Sequence, residues 1–477
     1  MPIAGLTKRA CDQCHNVKER CRRLGPNDPC ERCTRLGQHC QTTRYAVKTG
    51  RKPRGLKKLS YTLPTFANLP ATRDTAASSL GSSPSGLSPY DGGMASNPAL
   101  FSSLDEWERH FLNLMKDILA PSPLDKFLVG PSFHETHHTS FVQNLIRPTP
   151  VLKHAAVACA AVLFGDQNDE YSQTSVEIGH KRAALVVSSL RSFNVSNEQD
   201  LATVLILGVA MVTFAMHVAD GQPFLISHYT LSLIKPQVEK LFTLDPAMID
   251  FWMCLVSTET FECLLRSEIP TMRVDPTRRE NVVDRYLGLS STIFTHLYDI
   301  CAAATALKHA STARAVEVVQ DLNSIKAAVD KWQPLPPSDF LNRYTQAEVL
   351  SMLVQAKIFR IAALLMIHRL QHPFGEQDRE AHVLSRAIIA EFDMILQMTQ
   401  RSIPCTALPY LAACFEILDF ESRHATLKNS KQIVAFSKQS QIRFEATLTS
   451  VWQARDLGHQ FHWFELGIYA STLWPGK

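Results

Sequence analysis

Residues 10–40, ACDQCHNVKERCRRLGPNDPCERCTRLGQHC, decide the fold of the amino-terminal part of this 477-residue chain. Six cysteines repeat one spacing twice within this stretch, as Cys11-x2-Cys14-x6-Cys21 and as Cys30-x2-Cys33-x6-Cys40. A Cys-x2-Cys pair presents two thiolates to one metal ion, and a structural zinc ion takes four ligands. Each half offers three thiolates, so two zinc ions must fill eight coordination positions from six sulfurs. All eight positions are filled if two of the cysteines each bind both zinc ions. The pattern therefore predicts one binuclear cluster.

Other uses of the six cysteines fit the pattern less well. A disulfide framework needs an oxidising compartment, and the first 30 residues contain no apolar stretch resembling a secretory signal. RING and LIM sites use eight ligands in a different order, and iron–sulfur clusters use tighter spacings. His15 and His39 stand beside cysteines, but six thiolates already suffice, so we expect neither histidine to be a ligand.

The cysteine pattern resembles the Zn2Cys6 binuclear-cluster domain of fungal transcription regulators. The resemblance rests on residues 10–21 and 29–33 together with Cys40. It implies a cofactor of two zinc ions per chain, with Cys11 and Cys30 as the bridging ligands. The terminal ligands implied by the same resemblance are Cys14, Cys21, Cys33 and Cys40.

The resemblance also implies how the cluster meets DNA. A short helix after the first cysteine pair enters the major groove at a CGG-type triplet, and the lysine that contacts the bases corresponds to Lys18. A lysine is a point charge that can donate to the O6 and N7 acceptors of guanine. Val17 and Glu19 stand where members of the family often carry further basic residues. We expect this difference to affect the affinity or the preferred site.

Charge is distributed unevenly along the chain. Residues 1–60, the head, contain 15 Lys and Arg against four Asp and Glu, a formal +11, whereas the remaining residues hold 34 basic and 41 acidic groups. A strongly basic segment is typical of proteins that bind the phosphate backbone of nucleic acids. Phosphate contacts fix the register of a protein on the duplex. The arginines expected to make them are Arg20, Arg22 and Arg23, and Arg51 and Arg54 are expected to contact DNA from the basic arm that follows the cluster.

Composition divides the chain into four parts. The zinc cluster occupies residues 1–43, and a basic arm that loosely resembles an AT-hook follows at residues 44–60. The arm suits contact with the minor groove, nuclear import, or a solvated tether. Residues 61–102 are rich in Ser, Pro and Gly without an apolar period, which predicts a flexible linker. Residues 103–477, the body, show a 3.6-residue period that predicts an all-α domain of about ten helices.

Helix start and stop signals recur along the body. Capping boxes are visible at 103–106, 132–135 and 345–348, and Pro150 and Pro246 begin two further helices. The predicted helices cover residues 103–120, 151–164, 174–192, 197–218, 247–266, 281–308, 311–332, 346–370, 377–400, 405–422 and 430–457.

The body also resembles the fungal-specific regulatory domain that follows such zinc clusters. The similarity lies in residues 150–156, 180–184 and 201–214. It implies an all-helical domain that is sometimes responsive to a ligand or partner and has no catalytic activity. No heptad repeat is visible in the linker, so a homodimer would form through the helical domain.

Two stretches of the body admit other interpretations. His134-Glu135-Thr136-His137-His138 matches the zinc-protease signature, in which His134 and His138 bind zinc and Glu135 acts as a base. No third ligand follows at a familiar spacing, so a zinc metallohydrolase is the alternative function and we expect no catalytic residue. Residues 201–219 carry no charge, but Asp200 and Asp220 flank them, which favours a buried helix and no membrane partner.

These observations predict a nuclear, zinc-dependent, sequence-specific DNA-binding regulator of RNA polymerase II transcription. Zinc is expected to supply the folding free energy of the small cluster. The expected partners are double-stranded DNA and transcription coregulators. The layout of the chain resembles that of regulators encoded within fungal biosynthetic gene clusters, which implies control of a pathway.

Overall fold

The computed structural model describes residues 10, 11, 14, 17, 21, 29–41, 104–116, 123–147, 149–165 and 172–470. The chain divides into two units, Met1–Tyr61 and Thr62–Lys477. The described part of the first unit contains the short helix Glu31–Arg35 and four cysteines that are fully buried against one another. The residues predicted to contact DNA lie outside the described residues; they are Lys18, Arg20, Arg22, Arg23, Arg51 and Arg54.

The second unit is built from helices, and none of its described residues lies in a strand. The all-α fold class is therefore confirmed. Within the described residues, thirteen helices have eight residues or more: α1 Glu106–Lys116, α2 Pro150–Gly165, α3 Ser172–Arg191, α4 Glu198–His217, α5 Pro223–Ile234, α6 Pro246–Arg266, α7 Phe294–His309, α8 Thr312–Lys331, α9 Gln346–Gln371, α10 Asp378–Thr399, α11 Ala407–Cys414, α12 Phe420–Ile433 and α13 Lys438–Asp456.

Helix α4 lies in the core of this unit. It packs against α2, α5, α6 and α13, and its residues from Val204 to Ala215 are all buried. Helices α4 and α9 are long and apolar enough to cross a membrane, but 78% and 67% of their apolar windows are buried within the fold. The expectation that residues 201–219 form a buried helix is therefore confirmed, because other helices already cover the apolar surface of α4.

The capped helices begin where their sequences predict. In α9, the Thr345 side chain accepts from the Glu348 N–H, and the Glu348 carboxylate accepts from the Thr345 N–H at 2.9 Å. In α6, Asp245 caps the helix by accepting from the Ala247 N–H at 2.8 Å. Each cap satisfies backbone donors that have no partner within the helix, and this fixes the first turn.

Two of the predicted capping boxes are wrong. At α1 the reciprocal pair is formed by Asp105 and Glu108, whose N–H groups and carboxylates exchange hydrogen bonds of 2.8 and 3.2 Å. Ser132 does not pair with Glu135; its N–H and hydroxyl donate to Glu348 at 2.8 and 2.9 Å. The partner of Ser132 is distant in sequence, so a local pattern cannot identify it.

The predicted helix 281–308 is half loop. The only α-helix there is α7, which the short 3₁₀ helix Ser291–Ile293 precedes. The Asp284 side chain accepts from the N–H groups of Tyr286 and Leu287 at 2.8 and 3.0 Å. Asp284 and Gly288 also exchange backbone hydrogen bonds, and Gly288 has a φ of 55° in the left-handed region. A side chain that binds nearby backbone donors competes with the helix, which explains the loop.

Two other predicted helices are interrupted, and one helix was not predicted. The stretch 405–422 is divided between α11 and α12, where Asp419 caps α12 by accepting from the Ser422 N–H at 2.7 Å. The stretch 430–457 is divided between α12 and α13, where Ser437 caps α13. Helix α5 was missed because its sequence, PFLISHYTLSLI, is apolar on most sides and shows no clear 3.6-residue period.

Candidate metal centre and nucleic-acid interface

The two cysteine triplets fold into the same local structure. In each half, the N–H of the second cysteine donates to the sulfur of the first at 3.4 Å. In each half, the N–H of the first cysteine donates to the sulfur of the third at 3.3 Å. The repeat in the sequence is therefore a repeat of hydrogen bonds, and both halves arrange their three sulfurs in the same way.

A helix N-terminus supports the second half. Cys30 is the N-cap of the helix Glu31–Arg35, and its sulfur takes the place that a serine or aspartate oxygen has in an ordinary cap. Thr34 closes the first turn by donating from its N–H and hydroxyl to the Cys30 carbonyl at 3.0 and 3.1 Å. The unpaired N–H groups at a helix start favour negative charge, so this position stabilises a thiolate.

The sulfur atoms lie at the separations that zinc requires. Cys11 Sγ is 3.8 Å from Cys30 Sγ and 3.6 Å from Cys33 Sγ, and Cys14 Sγ is 3.5 Å from Cys30 Sγ. A disulfide would bring two sulfurs to about 2.05 Å. Four sulfurs at about 2.3 Å from one zinc lie about 3.8 Å apart in a tetrahedron. The geometry therefore fits ligands around metal ions.

Two groups of four sulfurs form in this way, and within each group all sulfurs lie within 4.8 Å of one another. One group is Cys11, Cys14, Cys21 and Cys30, and the other is Cys11, Cys30, Cys33 and Cys40. The groups share Cys11 and Cys30. These are the two cysteines for which the resemblance implied a bridging role, and in this arrangement each of two metal ions could take four sulfur ligands.

Without metal, burial and hydrogen bonding divide the thiols into two kinds. Burial opposes charge on Cys11, but the Cys14 N–H and neighbouring thiols outweigh it and lower the pKa of Cys11 to about 5. The Cys33 N–H likewise lowers the pKa of Cys30. Burial raises the pKa of Cys14 to about 12 and also raises the pKa of Cys33. The pKa is thus lowered at Cys11 and Cys30, the two cysteines that belong to both sulfur groups.

The described surface beside the cluster carries both apolar and basic residues. Val17 is 49% exposed, and Arg35, in the last turn of the second-half helix, is also exposed. Cys21 and Cys40 are partly exposed, whereas the other four cysteines are buried. The cluster interior is therefore filled by sulfur, and its exposed residues are available to a partner.

The protease-like signature does not build a metal site. His134 contacts the Asp125 carboxylate, and His138 begins a π-helical turn that follows the short helix His134–His137. Within the described parts of the chain, the two cysteine groups are the only places where three or more possible ligand atoms converge. No third ligand therefore joins His134 and His138.

The six cysteines of the body lie singly in the helical fold. Four are buried, and Cys254 and Cys405 are half-buried at the wall of a cavity between α4, α6, α11 and α13. Sequence reasoning did not identify this cavity, because its wall is assembled from helices distant in sequence. The apolar faces that line it are indistinguishable in the sequence from ordinary core positions.

Two family models match the chain. The Fungal specific transcription factor domain matches residues 145–469, which is more than half of the chain. The Fungal Zn(2)-Cys(6) binuclear cluster domain matches residues 9–49. The first match covers most of the described helices of the second unit, and the second covers all six clustered cysteines.

One curated relative matches the head. The C6 finger transcription factor fumR of Aspergillus fumigatus is 53% identical over 36 residues, a match that covers 8% of this chain and 6% of the relative. The similarity is thus confined to a small fraction of either protein. No solved structure matches the chain.

Proposed function

Because the chain belongs to the fungal transcription factor family that joins a Zn(2)-Cys(6) cluster to a fungal specific transcription factor domain, we propose that it regulates transcription by RNA polymerase II from the nucleus. The observation that carries the proposal is the pair of sulfur groups sharing Cys11 and Cys30. Both matching families are families of transcription factors and neither is a family of enzymes, so the hydrolase alternative has no support.

The head binds double-stranded DNA in this proposal, and zinc makes it competent to do so. The head is too small to bury much apolar surface, and its described core consists of cysteines. Two zinc ions held by the six thiolates supply the cross-links that fix the loops, and the free energy of metal binding becomes folding free energy. The formal net charge of +11 in the first 60 residues then attracts the phosphate backbone of DNA.

Base recognition is assigned to Lys18 and phosphate contact to the arginines around it. Lys18 follows the first cysteine pair by four positions, which places it next to the cluster along the chain. We expect it to donate to guanine in a CGG-type triplet. Phosphate contacts are assigned to Arg20, Arg22 and Arg23, and contact with DNA by the basic arm is assigned to Arg51 and Arg54. In the same proposal, the protein controls a pathway or a biosynthetic gene cluster. It also contacts transcription coregulators and forms a homodimer through the body.

Selection of binding sites from random duplexes tests the proposal. The zinc-loaded full-length chain is expected to enrich duplexes with CGG triplets, and treatment with a chelator is expected to abolish the enrichment. A control variant, His134→Ala, should behave as the wild type because the protease-like motif has no role in the head. Enrichment of no sequence by the zinc-loaded chain would refute specific recognition.

A further inference from the structure

A cavity of about 220 Å³ that opens to the surface lies between α4, α6, α11 and α13 of the second unit. We name it the apolar chamber. Five phenylalanines line it: Phe127, Phe141, Phe261, Phe436 and Phe444. An apolar cavity of about 150 Å³ already accepts a molecule the size of benzene. The apolar chamber therefore has room for one aromatic ring with a short substituent.

The deep wall of the apolar chamber carries no charge. Burial lowers the pKa of His137 well below its ordinary value, so the ring is neutral, and its Nδ1 lies 3.2 Å from the Tyr286 hydroxyl. Burial also raises the pKa of the Cys254 thiol to about 12. The hydroxyls of Thr213 and Thr258 donate to carbonyls of their own helices at 2.9 Å. This end of the chamber suits a neutral, apolar group.

The other end of the chamber is basic. Lys126 and Phe436 line both the apolar chamber and a neighbouring pocket of about 470 Å³, whose wall also contains Lys431 and Lys438. We name this neighbour the basic pocket. Its acidic lining residue, Glu445, accepts a hydrogen bond from a serine hydroxyl at 3.1 Å. The polar end of a molecule in the apolar chamber would therefore lie near lysines.

Arg443 is a second cation in the wall of the apolar chamber, beside Lys126. Its Nη2 donates to the carbonyls of Val218 and Ala219 at 2.6 and 3.0 Å, and no carboxylate of the described residues lies within 4.0 Å of it. Burial lowers the pKa of Arg443, and the more distant charges of Glu262 and Asp220 oppose this only in part. A partly desolvated guanidinium without a close counter-ion favours an anionic ligand.

We propose that the apolar chamber binds a small aromatic carboxylate, with its ring among the phenylalanines and its carboxylate on Arg443 and Lys126. The guanidinium matches a carboxylate geometrically, and hydrogen bonds between charged partners are stronger than neutral ones. Glu262 also lines the chamber but already pairs with Arg266 at 3.4 Å, so it leaves the site open to an anion. This inference goes beyond the proposed function and does not rest on it.

The apolar chamber lies where the end of α4 meets the start of α13. The hydroxyls of Ser437 and Ser440 donate to the Met216 carbonyl at 2.6 and 3.1 Å, and the His217 ring contacts the Phe436 carbonyl at 3.0 Å. The end of α4 is thus fastened to the start of α13 next to the chamber. A ligand held between these helices stabilises the folded body by an amount that rises with the logarithm of its concentration divided by its Kd.

Three matched probes test the proposal on the zinc-loaded full-length chain. They are 3-phenylpropionate, 3-phenylpropanol and 3-phenylpropylamine, which share one ring and differ in the charge of the end group. Calorimetric titration should show that the acid binds about tenfold or more tightly than the alcohol, and that the amine binds most weakly. Equal affinity for acid and alcohol, or no binding of the acid, would overturn the proposal.

Variants locate the binding site. Arg443→Gln should remove the preference for the acid and leave the affinity for the alcohol unchanged, whereas Leu408→Trp should fill the apolar chamber and weaken both. Arg314→Gln is the matched control, because Arg314 is exposed on α8 and contacts Glu317. If Arg443→Gln lowers the thermal midpoint of the free chain, Lys126→Gln provides the same comparison at an exposed residue. An acid preference that survives in both variants would assign the binding to another site.

Discussion

Cys11 and Cys30 each belong to both sulfur groups, and this sharing gives single residues unequal weight. Loss of a shared sulfur removes one ligand from both metal ions, whereas loss of Cys40 removes one ligand from one ion. We therefore predict that Cys11→Ser lowers the zinc content of the purified chain further than Cys40→Ser does. Elemental analysis measures the difference, and Cys254→Ser in the body is the control that should keep two zinc ions. Equal zinc loss in the two head variants would argue against sharing.

Lys18 and Arg22 provide a matched pair for DNA recognition. We predict that Lys18→Ala costs about 1–3 kcal/mol on CGG duplexes and little on unrelated duplexes, because it removes a base contact. Arg22→Ala should weaken binding to both kinds of duplex alike and lower by about one the number of counterions released on binding, because it removes a phosphate contact. Titration of both variants against labelled duplexes at several salt concentrations separates the two effects. A uniform loss for Lys18→Ala would show that it does not read bases.

At the scale of an element, Glu348 fastens α9 to a distant turn. Its carboxylate accepts from the N–H and hydroxyl of Thr345 at 2.9 Å and from the N–H and hydroxyl of Ser132 at 2.8 and 2.9 Å. A Cβ on Gly130 would lie 2.2 Å from Glu348 Oε1, so only glycine allows this approach. One carboxylate thus serves as a helix cap and as a tertiary contact.

We predict that Glu348→Gln lowers the free energy of unfolding by about 1–3 kcal/mol at neutral pH, because it removes the charge that four donors bind. Although burial raises it, the hydrogen bonds from Ser132 and Thr345 lower the pKa of Glu348 below its ordinary value near 4.5. The stabilisation is therefore complete above pH 4.5 and disappears as the pH falls through the lowered pKa.

Urea unfolding of the wild type and of Glu348→Gln at several pH values measures this contribution. The difference between the two proteins should shrink as the pH falls below 4.5. Glu317→Gln, on the exposed face of α8, is the control and should change stability little at any pH. A difference that is independent of pH would show that the charge of Glu348 does not stabilise the fold.

Helix existence followed from local sequence more reliably than helix ends did. The caps at Asp245 and Thr345 could be predicted because each uses a residue within three positions. The cap at Asp419 that begins α12 is equally local, but the end of α11 could not be predicted, because the Phe415 carbonyl there is bound by Arg455 from α13 at 2.5 Å. Such a contact exists only after the chain has folded, so no periodicity in the sequence records it.

At the scale of the whole molecule, the second unit contains a buried network of charges. Arg369 on α9 is fully buried; it donates to Glu416 at 2.7 and 2.6 Å and to Asp378 on α10 at 2.5 Å. The Arg455 Nη1 on α13 lies 3.5 Å from the same Glu416 carboxylate. These contacts join helices that are distant in the sequence through one cluster of opposite charges.

We predict that Arg369→Met lowers the free energy of unfolding by about 3–5 kcal/mol, because it leaves the buried Glu416 carboxylate short of a partner. Urea unfolding monitored by circular dichroism measures the loss. Arg314→Met, at an exposed ion pair, is the matched control and should cost about 0–1 kcal/mol. A loss for Arg369→Met as small as that of the control would show that the network contributes no stability.

The two units differ in how much their sequences reveal. The cluster could be predicted almost completely, since eight metal positions and six sulfurs leave one solution, the sharing of two cysteines. The apolar chamber and its cation, Arg443, could not be predicted, because a cavity is a property of the packing of several helices. An arginine on an amphipathic helix gives no sign in the sequence that it lies without a carboxylate partner.

The central claim is that six thiolates hold two zinc ions and thereby form a surface that recognises DNA. Native mass spectrometry of the full-length chain tests it most directly, because it counts the metal ions bound to each molecule. We expect two zinc ions per wild-type chain, and none in a variant that lacks both Cys11 and Cys30. A wild-type chain that carries a single zinc ion, or none, would rule out the binuclear cluster.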